Sequence, residues 1–214
     1  MRAVLYKNTA NAVVLVRVAL IFAVMALLTA PSSSPRIGGL VLLAVAALMD
    51  WFDGYVANKL GISSAVGGLL DTLGDRITEN ILFIFFAYQH IVPFYVPVFF
   101  VTRSFMADFI RTLSFNKGLS TFAINTSSFG TFIVASRPSR VLYLVMKLAI
   151  FFAAGLILVI RPVNIFATPS SVNTINTIQE LVLVLSALTV AFSFLRFIGL
   201  LYDSRTMLKE EFLK

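Results

Sequence analysis

The stretch at 50–75, DWFDGYVANKLGISSAVGGLLDTLGD, decides the fold because it places acidic residues in two apolar helical segments joined by a short polar break. Asp50 and Asp53 are three residues apart, so they share one face of a helix. Asp71 and Asp75 are four residues apart and share one face of the next helix. The GISS run between them interrupts the helical pattern. We therefore expect two neighbouring antiparallel helices whose acidic faces meet near one membrane surface.

The composition of the whole chain predicts a membrane protein. Its 214 residues are 59% hydrophobic and 13% charged, whereas soluble domains are about half apolar and about a quarter charged. The mean hydropathy of +0.93 agrees with this prediction. The net charge of +7 then favours contact with anionic lipid surfaces. Because the sequence contains no motif for RNA or DNA, we expect no nucleic-acid partner.

Six segments have the roughly 20 apolar residues that a membrane-crossing helix needs. They lie at 11–29, 37–56, 65–88, 92–113, 140–160 and 178–202. Stretches rich in Pro, Gly, Ser and Thr separate them, and the longest of these predicted loops are 116–138 and 161–177. The prediction is therefore an all-α integral membrane protein with a single six-helix domain over 1–214.

The loop cations predict the orientation of the chain in the membrane. Six spans put both termini on one side, and ten loop cations lie on that side: Arg2, Lys7, Lys59, Arg111, Lys117, Arg137, Arg140, Arg205, Lys209 and Lys214. Only Arg36 and Arg161 belong to loops of the opposite side. Cytoplasmic loops are enriched in Lys and Arg. Both termini and the acidic helix ends are therefore predicted to face the cytoplasm from the cytoplasmic membrane.

The acidic residues cluster in one apolar part of the chain, where their negative charge needs compensation. Half of the 10 acidic residues fall at 50–79, and a charge among apolar helices costs about 2.5–3.5 kcal/mol even on lenient scales. Bound cations would compensate this charge directly. With no cysteine and a single histidine in the chain, the ligands must be mainly carboxylates, which favour hard ions such as Mg²⁺, Mn²⁺ or Ca²⁺. Four carboxylates could hold two such ions about 3.5–4 Å apart.

An alternative is that the acidic residues form only structural ion pairs within the membrane. The available cations are Arg17, Arg76, Arg103 and Lys147. Ion pairing alone would not require Asp pairs on two helix faces with glycines between them. Glycine costs roughly 1 kcal/mol relative to alanine in a helix, so these glycines favour a close approach of the backbone to a ligand or to another helix. The spacing therefore favours the metal site.

The same stretch resembles the signature of the CDP-alcohol phosphotransferase family, which is DxxDGxxAR, eight residues, then GxxxDxxxD. Seven of its eight fixed positions match across 50–75. The departure is Asn58, where the signature has Arg. Asn donates hydrogen bonds but has no charge, and the neighbouring Lys59 points about 100° away around the helix. The six predicted spans also suit this family, so the resemblance extends to the whole chain.

The resemblance implies a phospholipid-synthesising, metal-dependent transferase. Two divalent cations, Mg²⁺ or Mn²⁺, would be held by Asp50, Asp53, Asp71 and Asp75. The nucleotide of a CDP-linked lipid would lie against Asp53, Gly54, Ala57, Asn58 and Gly67. Asp75 would also act as general base on the acceptor hydroxyl, whose oxygen attacks the lipid-side phosphorus while CMP leaves. The family is commonly homodimeric, so the resemblance also implies a homodimer.

The acceptor in this family is either a neutral alcohol, such as an amino alcohol or serine, or a phosphorylated polyol. A phosphorylated acceptor needs cations of its own, and Arg binds phosphate through two parallel hydrogen bonds. The candidates on the cytoplasmic half are Arg103, Arg111, Arg140 and Lys147. The stretch 103–147 is also similar to the acceptor regions of phosphatidylglycerophosphate and phosphatidylinositol-phosphate synthases. We therefore expect glycerol 3-phosphate ahead of inositol phosphate. In the alternative, Arg111, Arg137 and Arg140 are anchors that contact only lipid headgroups.

Two other classes of protein also use acidic residues in this way. An intramembrane cation or proton transporter would distribute them through the membrane depth, whereas here they gather near one side. A prenyl-phosphate sugar transferase also uses paired aspartates, but the intact signature spacing argues against it. Outside the candidate site, Asp108 and Arg111 predict an ion pair on one helix face. Glu180 and Arg196 are candidates for a subunit interface.

Overall fold

The computed structural model describes residues 2–60, 65–116, 127–161 and 169–212. Within these ranges the chain is helical apart from short turns, and no strand occurs in them. The prediction of an all-α protein is therefore confirmed for the described residues. Side chains are described in the same ranges except at 2–14, 50–71, 115–116, 169–171 and 212.

The described part of the chain contains six long helices and one short helical connection. In chain order the elements are α1 (Arg2–Leu28), α2 (Ser33–Leu60), α3 (Ala65–Tyr88), α4 (Tyr95–Asn116), α5 (Ser128–Gly130), a π-helical turn (Thr131–Ala135), α6 (Arg137–Ile160) and α7 (Pro169–Phe212). Each of the six predicted segments overlaps one of the long helices.

Four helices begin earlier than the sequence predicted: α1, α2, α6 and α7. The last three have a proline in the first turn, which in α6 is Pro138. α2 begins at Ser33 with Pro35 two residues later, and α7 begins at Pro169. Proline is tolerated there because the amide that it lacks would have no partner in the helix. The predicted loop at 161–177 is therefore wrong from residue 169 onward. One of its polar side chains has a partner within the helix, since the Thr177 hydroxyl donates to the carbonyl of Asn173 at 2.9 Å.

Two of the described helices are long and apolar enough to cross a membrane. They are Arg137–Ile160, which is α6, and Val172–Glu211 within α7. The apolar segments Leu15–Leu28 in α1 and Ser33–Met49 in α2 are shorter. The number of spans and the side of the termini therefore stay predictions.

The chain divides into two compact units. Unit 1 comprises Met1–Val92 and Phe151–Val182, and unit 2 comprises Pro93–Ile150 and Leu183–Lys214. One boundary lies between α3 and α4, and the other two fall inside α6 and α7, so each unit contains part of both of these helices.

In unit 1, α1 packs against α2 and α3. The buried ring of Phe151 lies 4.8 Å from that of Phe83 and 6.1 Å from that of Phe86, between ring centroids. Each such pair contributes about 0.5–1.5 kcal/mol beyond the burial of its surface. α1 and α2 approach closely at Gly39, because a Cβ there would lie 3.0 Å from the Cβ of Leu27. A small residue is therefore needed at this crossing.

α3 ends in a Schellman-type turn with His90 in the left-handed conformation, at φ 57°. The amides of His90 and Ile91 donate to the carbonyls of Ala87 and Phe86, each at 3.0 Å. These hydrogen bonds satisfy carbonyls that a helix end otherwise leaves without partners. The turn predicted at 90–93 is thus confirmed.

Candidate active site

The backbone places the four predicted metal ligands at matching levels on α2 and α3 of unit 1. Asp53 lies seven residues before the end of α2, and Asp71 lies six residues after the start of α3. Asp50 and Asp75 each lie ten residues from the same ends. At about 1.5 Å per residue, the inner pair stands about 10 Å and the outer pair about 15 Å from these helix ends. The two helices therefore carry their acidic residues at two corresponding levels.

Most of the predicted metal and nucleotide site lies outside the described side chains. This applies to the predicted metal ligands Asp50, Asp53 and Asp71, and to the predicted nucleotide-binding residues Gly54, Ala57, Asn58 and Gly67. Among the side chains that are described, no group of three or more acidic residues or histidines could hold a metal ion. Carboxylate oxygens on two helices, with no cysteine in the chain, are nevertheless a donor set that suits Mg²⁺ or Mn²⁺.

Asp75 has a described side chain, and it pairs with Arg17 on α1. Its Oδ1 accepts a hydrogen bond from Nη2 of Arg17 at 2.7 Å. The Arg17 side chain is 3% exposed and the Asp75 side chain is 48% exposed, so a buried cation holds an accessible carboxylate. This contact is one that the ion-pair alternative predicted. It does not exclude a metal, because a carboxylate offers about four lone-pair sites.

One turn further along α3, Glu79 also has an arginine partner. Glu79 is buried, and its Oε2 lies 3.9 Å from Nη1 of Arg76. Two of the pairs that the ion-pair alternative named, those of Arg17 and Arg76, are therefore present, whereas its claim that the acidic residues do no chemistry stays untested. The other two cations that it named, Arg103 and Lys147, belong to unit 2.

In unit 2, cations from three helices surround one aromatic ring. This Tyr143 cluster comprises Arg103 of α4, Tyr143 and Lys147 of α6, and Arg196 of α7. Nζ of Lys147 lies 4.3 Å from the ring centroid, and Cζ of Arg196 and of Arg103 lie 5.3 and 5.8 Å from it. These distances fall within the roughly 6 Å over which a ring face attracts a cation. The cluster therefore gathers positive charge without an acidic member.

Arg103 is the cation of this cluster whose buried N–H donors most clearly lack acceptors. Its side chain is 5% exposed, and its Nε and Nη1 have no hydrogen-bond partner among the described residues. A buried donor left without a partner costs about 1–3 kcal/mol, and more when it is charged. None of the ion pairs in the described part of the chain includes Arg103. An anion beside Arg103 would satisfy these donors.

The other two predicted acceptor cations lie nearer to helix ends. Arg111, two turns beyond Arg103 on α4, has its Nη1 3.4 Å from Oδ1 of Asp108, which confirms the ion pair predicted for these two residues. Arg140 is exposed in the first turn of α6. It precedes Lys147 by seven residues and so lies on about the same helix face. The structure thus brings Arg103 and Lys147 into one cluster and gives Arg111 an acidic partner.

Arg196 was not among the predicted site residues. It is buried, and it donates to the carbonyls of Ile133 at 2.8 Å and Val134 at 3.1 Å, and to the hydroxyl of Ser139. Both carbonyls belong to the π-helical turn. Because Arg196 is buried within one chain, its predicted place at a subunit interface is wrong. The signal in the sequence was a single cation in an apolar helix, which must find partners inside the protein.

The segment before α6 is anchored to α7 at a second point. The predicted loop at 116–138 is wrong at 128–135, which is helical. Oδ1 of Asp203 on α7 accepts a hydrogen bond from the amide of Ser127 at 3.2 Å. Oγ of Ser127 in turn accepts from the amide of Gly130 at 2.9 Å, which is the usual N-cap bond. α7 therefore holds the segment that leads into the predicted acceptor cations of α6.

The contact at Gly130 tests this anchoring. A Cβ at this residue would lie 1.8 Å from Oδ2 of Asp203, so Gly130→Ala must move the carboxylate away from Ser127. Because the end of the Asp203 side chain can rotate aside, the main cost is its hydrogen bond with the Ser127 amide. We expect the free energy of unfolding to fall by about 0.5–1.5 kcal/mol relative to the control, measured by thermal unfolding in detergent. Gly38→Ala is the matched control, because nothing lies within 4 Å of its Cβ position. Equal unfolding midpoints for the two variants would contradict the anchoring.

The sequence matches a family model described as CDP-alcohol phosphatidyltransferase over residues 7–192. The matched range contains the four aspartates of α2 and α3. It also contains all four predicted acceptor cations.

Individual relatives are named as enzymes of phospholipid synthesis. The CDP-diacylglycerol–glycerol-3-phosphate 3-phosphatidyltransferase of Bacillus subtilis is 28% identical over 116 residues, which are 49% of this chain and 60% of that protein. The protein of the same name from Rickettsia bellii is 23% identical over 147 residues, 64% of this chain and 81% of that protein. A putative cardiolipin synthase of Mycobacterium tuberculosis is 31% identical over 86 residues, 40% of this chain and 41% of that protein. The chain thus spans less than two thirds of the first relative's length.

Proposed function

The chain belongs to the CDP-alcohol phosphatidyltransferase family, and we propose that it transfers a phosphatidyl group, or its diether equivalent, from a CDP-linked lipid to a phosphorylated polyol. Glycerol 3-phosphate is the acceptor proposed first, because it stands in the names of the Bacillus subtilis and Rickettsia bellii relatives. The observation that carries the phosphorylated acceptor is the buried Arg103 with its unpartnered donors.

The acceptor phosphate is assigned to Arg103 and Lys147, with Arg111 and Arg140 nearer the helix ends. A phosphate oxygen beside Arg103 satisfies donors that otherwise remain buried without partners. A neutral alcohol such as serine offers no phosphate and would leave Nε and Nη1 of Arg103 without an acceptor. These donors therefore favour glycerol 3-phosphate or inositol phosphate over a neutral acceptor.

The chemical step is assigned to Asp75. Its carboxylate takes the proton of the acceptor hydroxyl, and the hydroxyl oxygen forms a bond to the phosphorus next to the lipid. The bond from that phosphorus to the oxygen of CMP breaks, and CMP leaves. The 2.7 Å hydrogen bond from Arg17 holds the Asp75 carboxylate in place, as charge-assisted bonds of this length do.

The donor site is assigned to the signature stretch. Asp50, Asp53, Asp71 and Asp75 would hold two divalent cations, Mg²⁺ or Mn²⁺. Bound there, these ions would neutralise the pyrophosphate and stabilise the negative charge on the departing CMP. The nucleotide would lie against Asp53, Gly54, Ala57, Asn58 and Gly67. Asn58 would donate hydrogen bonds without the charge of the Arg in the family signature.

The arrangement in the membrane is part of the proposal. Six spans form one domain over 1–214, with both termini and the active site on the cytoplasmic side. The bias of ten loop cations against two supports this orientation. We carry a homodimer over from the family. A cation or proton transporter is disfavoured by the family match across the acidic stretch.

The reaction is tested by CMP release from CDP-diacylglycerol by the purified protein with Mg²⁺ or Mn²⁺. Glycerol 3-phosphate, inositol phosphate, serine and phosphatidylglycerol are supplied in parallel, the last because its phosphatidylation gives cardiolipin. We expect the fastest release with glycerol 3-phosphate, and a fall of about 10²–10⁴-fold in Asp75→Asn. Fastest release with serine would contradict the phosphorylated acceptor. No release with any acceptor would contradict the transferase.

The acceptor site is tested by Arg103→Gln. Removal of a charged hydrogen-bond donor is expected to lower kcat/KM for glycerol 3-phosphate by about tenfold or more, chiefly through KM. The KM for CDP-diacylglycerol should stay unchanged. Arg205→Gln is the matched control, because Arg205 is exposed and lies over the ring of Tyr202 at 4.0 Å. An unchanged KM for glycerol 3-phosphate in Arg103→Gln would refute the assignment.

A further inference from the structure

Two arginines that are 125 residues apart in sequence meet in unit 1. Arg36 lies in the first turn of α2, and Arg161 follows the end of α6. Nη1 of Arg36 donates to the carbonyl of Leu158 at 2.5 Å, three residues before Arg161. These are the two loop cations that the sequence assigns to the side opposite the active site. Their meeting at one point of the fold therefore suggests a shared ligand rather than two separate contacts with lipid headgroups.

Each guanidinium is held by backbone carbonyls at helix ends. Nε of Arg36 donates to the carbonyl of Ala30, just after α1, at 2.6 Å. Nη1 of Arg161 donates to the carbonyl of Gln89, just after α3, at 3.0 Å. Helix C-termini have partial negative charge and attract cations. A guanidinium has five N–H donors, and these contacts use only part of them, so donors remain for a ligand.

The two positive charges lie close enough to affect each other. Burial lowers the pKa of Arg161, and the positive charge of Arg36 lowers it as well. The ion pairs within the described part of the chain involve other arginines, so neither charge has an acidic partner there. Asp50, the next acidic residue along α2, is 14 residues from Arg36, or about 21 Å along the helix. A bound anion would compensate both positive charges at once.

We propose that Arg36 and Arg161 together bind the phosphate group of a phospholipid in the leaflet opposite the aspartates. Two guanidinium groups from different helices can bind one phosphate through parallel hydrogen bonds. The surface beside them is apolar: Ile37 is 52% exposed and Val41 is 59% exposed, one turn apart on α2. Such a surface suits acyl chains, which inorganic phosphate lacks.

Tyr88 supports the same ligand. It stands one residue before Gln89, whose carbonyl binds Arg161, and it is 78% exposed. Tyrosine is enriched at the headgroup level of membranes. The binding site uses no residue of the proposed active site, so it stands or falls independently of the transferase. The leaflet follows from the proposed orientation of the chain.

The site is tested by native mass spectrometry of the delipidated protein in detergent. Dihexanoyl-phosphatidylglycerol is the probe, dihexanoylglycerol is the arm without phosphate, and inorganic phosphate is the competitor. We expect Arg161→Gln to weaken binding of the phospholipid about tenfold or more, while Arg161→Lys retains part of the affinity. Arg205→Gln is the matched control on an exposed arginine and should bind like the unmodified protein.

Several outcomes would overturn the proposal. Equal binding by the unmodified protein and Arg161→Gln would remove Arg161 from the site. Equal binding of dihexanoylglycerol would show that the phosphate is not recognised. Competition by inorganic phosphate at the concentration of the lipid would identify a site for free phosphate instead. A lower unfolding midpoint in Arg161→Gln, without a change in lipid affinity, would leave Arg161 only as a cap of α3.

Discussion

The ion pair between Arg17 and Asp75 is the interaction on which the candidate site depends. A guanidinium in an apolar helix is costly unless it finds an acceptor, and α1 places Arg17 against the one signature aspartate whose side chain is described. The pairing fixes α1 relative to α3 and leaves the half-exposed carboxylate accessible. Arg76 and Glu79 repeat the arrangement one turn further into the helix. The acidic face of α3 is therefore partly neutralised by the protein itself.

In unit 2 the buried charges that need partners are cations. Arg196 donates hydrogen bonds to the carbonyls of the π-helical turn. These bonds also hold the segment that leads into α6. Arg103 lacks such acceptors among the described residues. The Tyr143 ring attracts the charges but accepts none of the hydrogen bonds of Arg103. The cluster thus brings three cations to one ring and leaves two buried donors of Arg103 available to an anion.

Much of this could be predicted from the sequence, because the signals were local. The long helices followed from the length of the apolar segments. That the Asp pairs of α2 and α3 face each other stays a prediction from their spacing of three and four residues. The start of α7 at Pro169 and the helical turn at 128–135 were missed. Polar residues there suggested a loop, whereas their backbone and hydroxyl groups are satisfied within the helices or by α7. The partners of Arg196 were also missed, since residues 133 and 196 meet only through tertiary structure.

The proposed active site depends most directly on the binding of divalent cations by the carboxylates of α2 and α3. We would count Mn²⁺ bound to the detergent-purified protein in the presence of CDP by electron paramagnetic resonance. The account predicts two ions per chain, with at least one lost in Asp71→Asn and none lost in Asp108→Asn, whose carboxylate pairs with Arg111 outside the signature. No bound Mn²⁺, or equal binding by Asp71→Asn and the unmodified protein, would contradict it and leave the acidic residues as structural ion pairs.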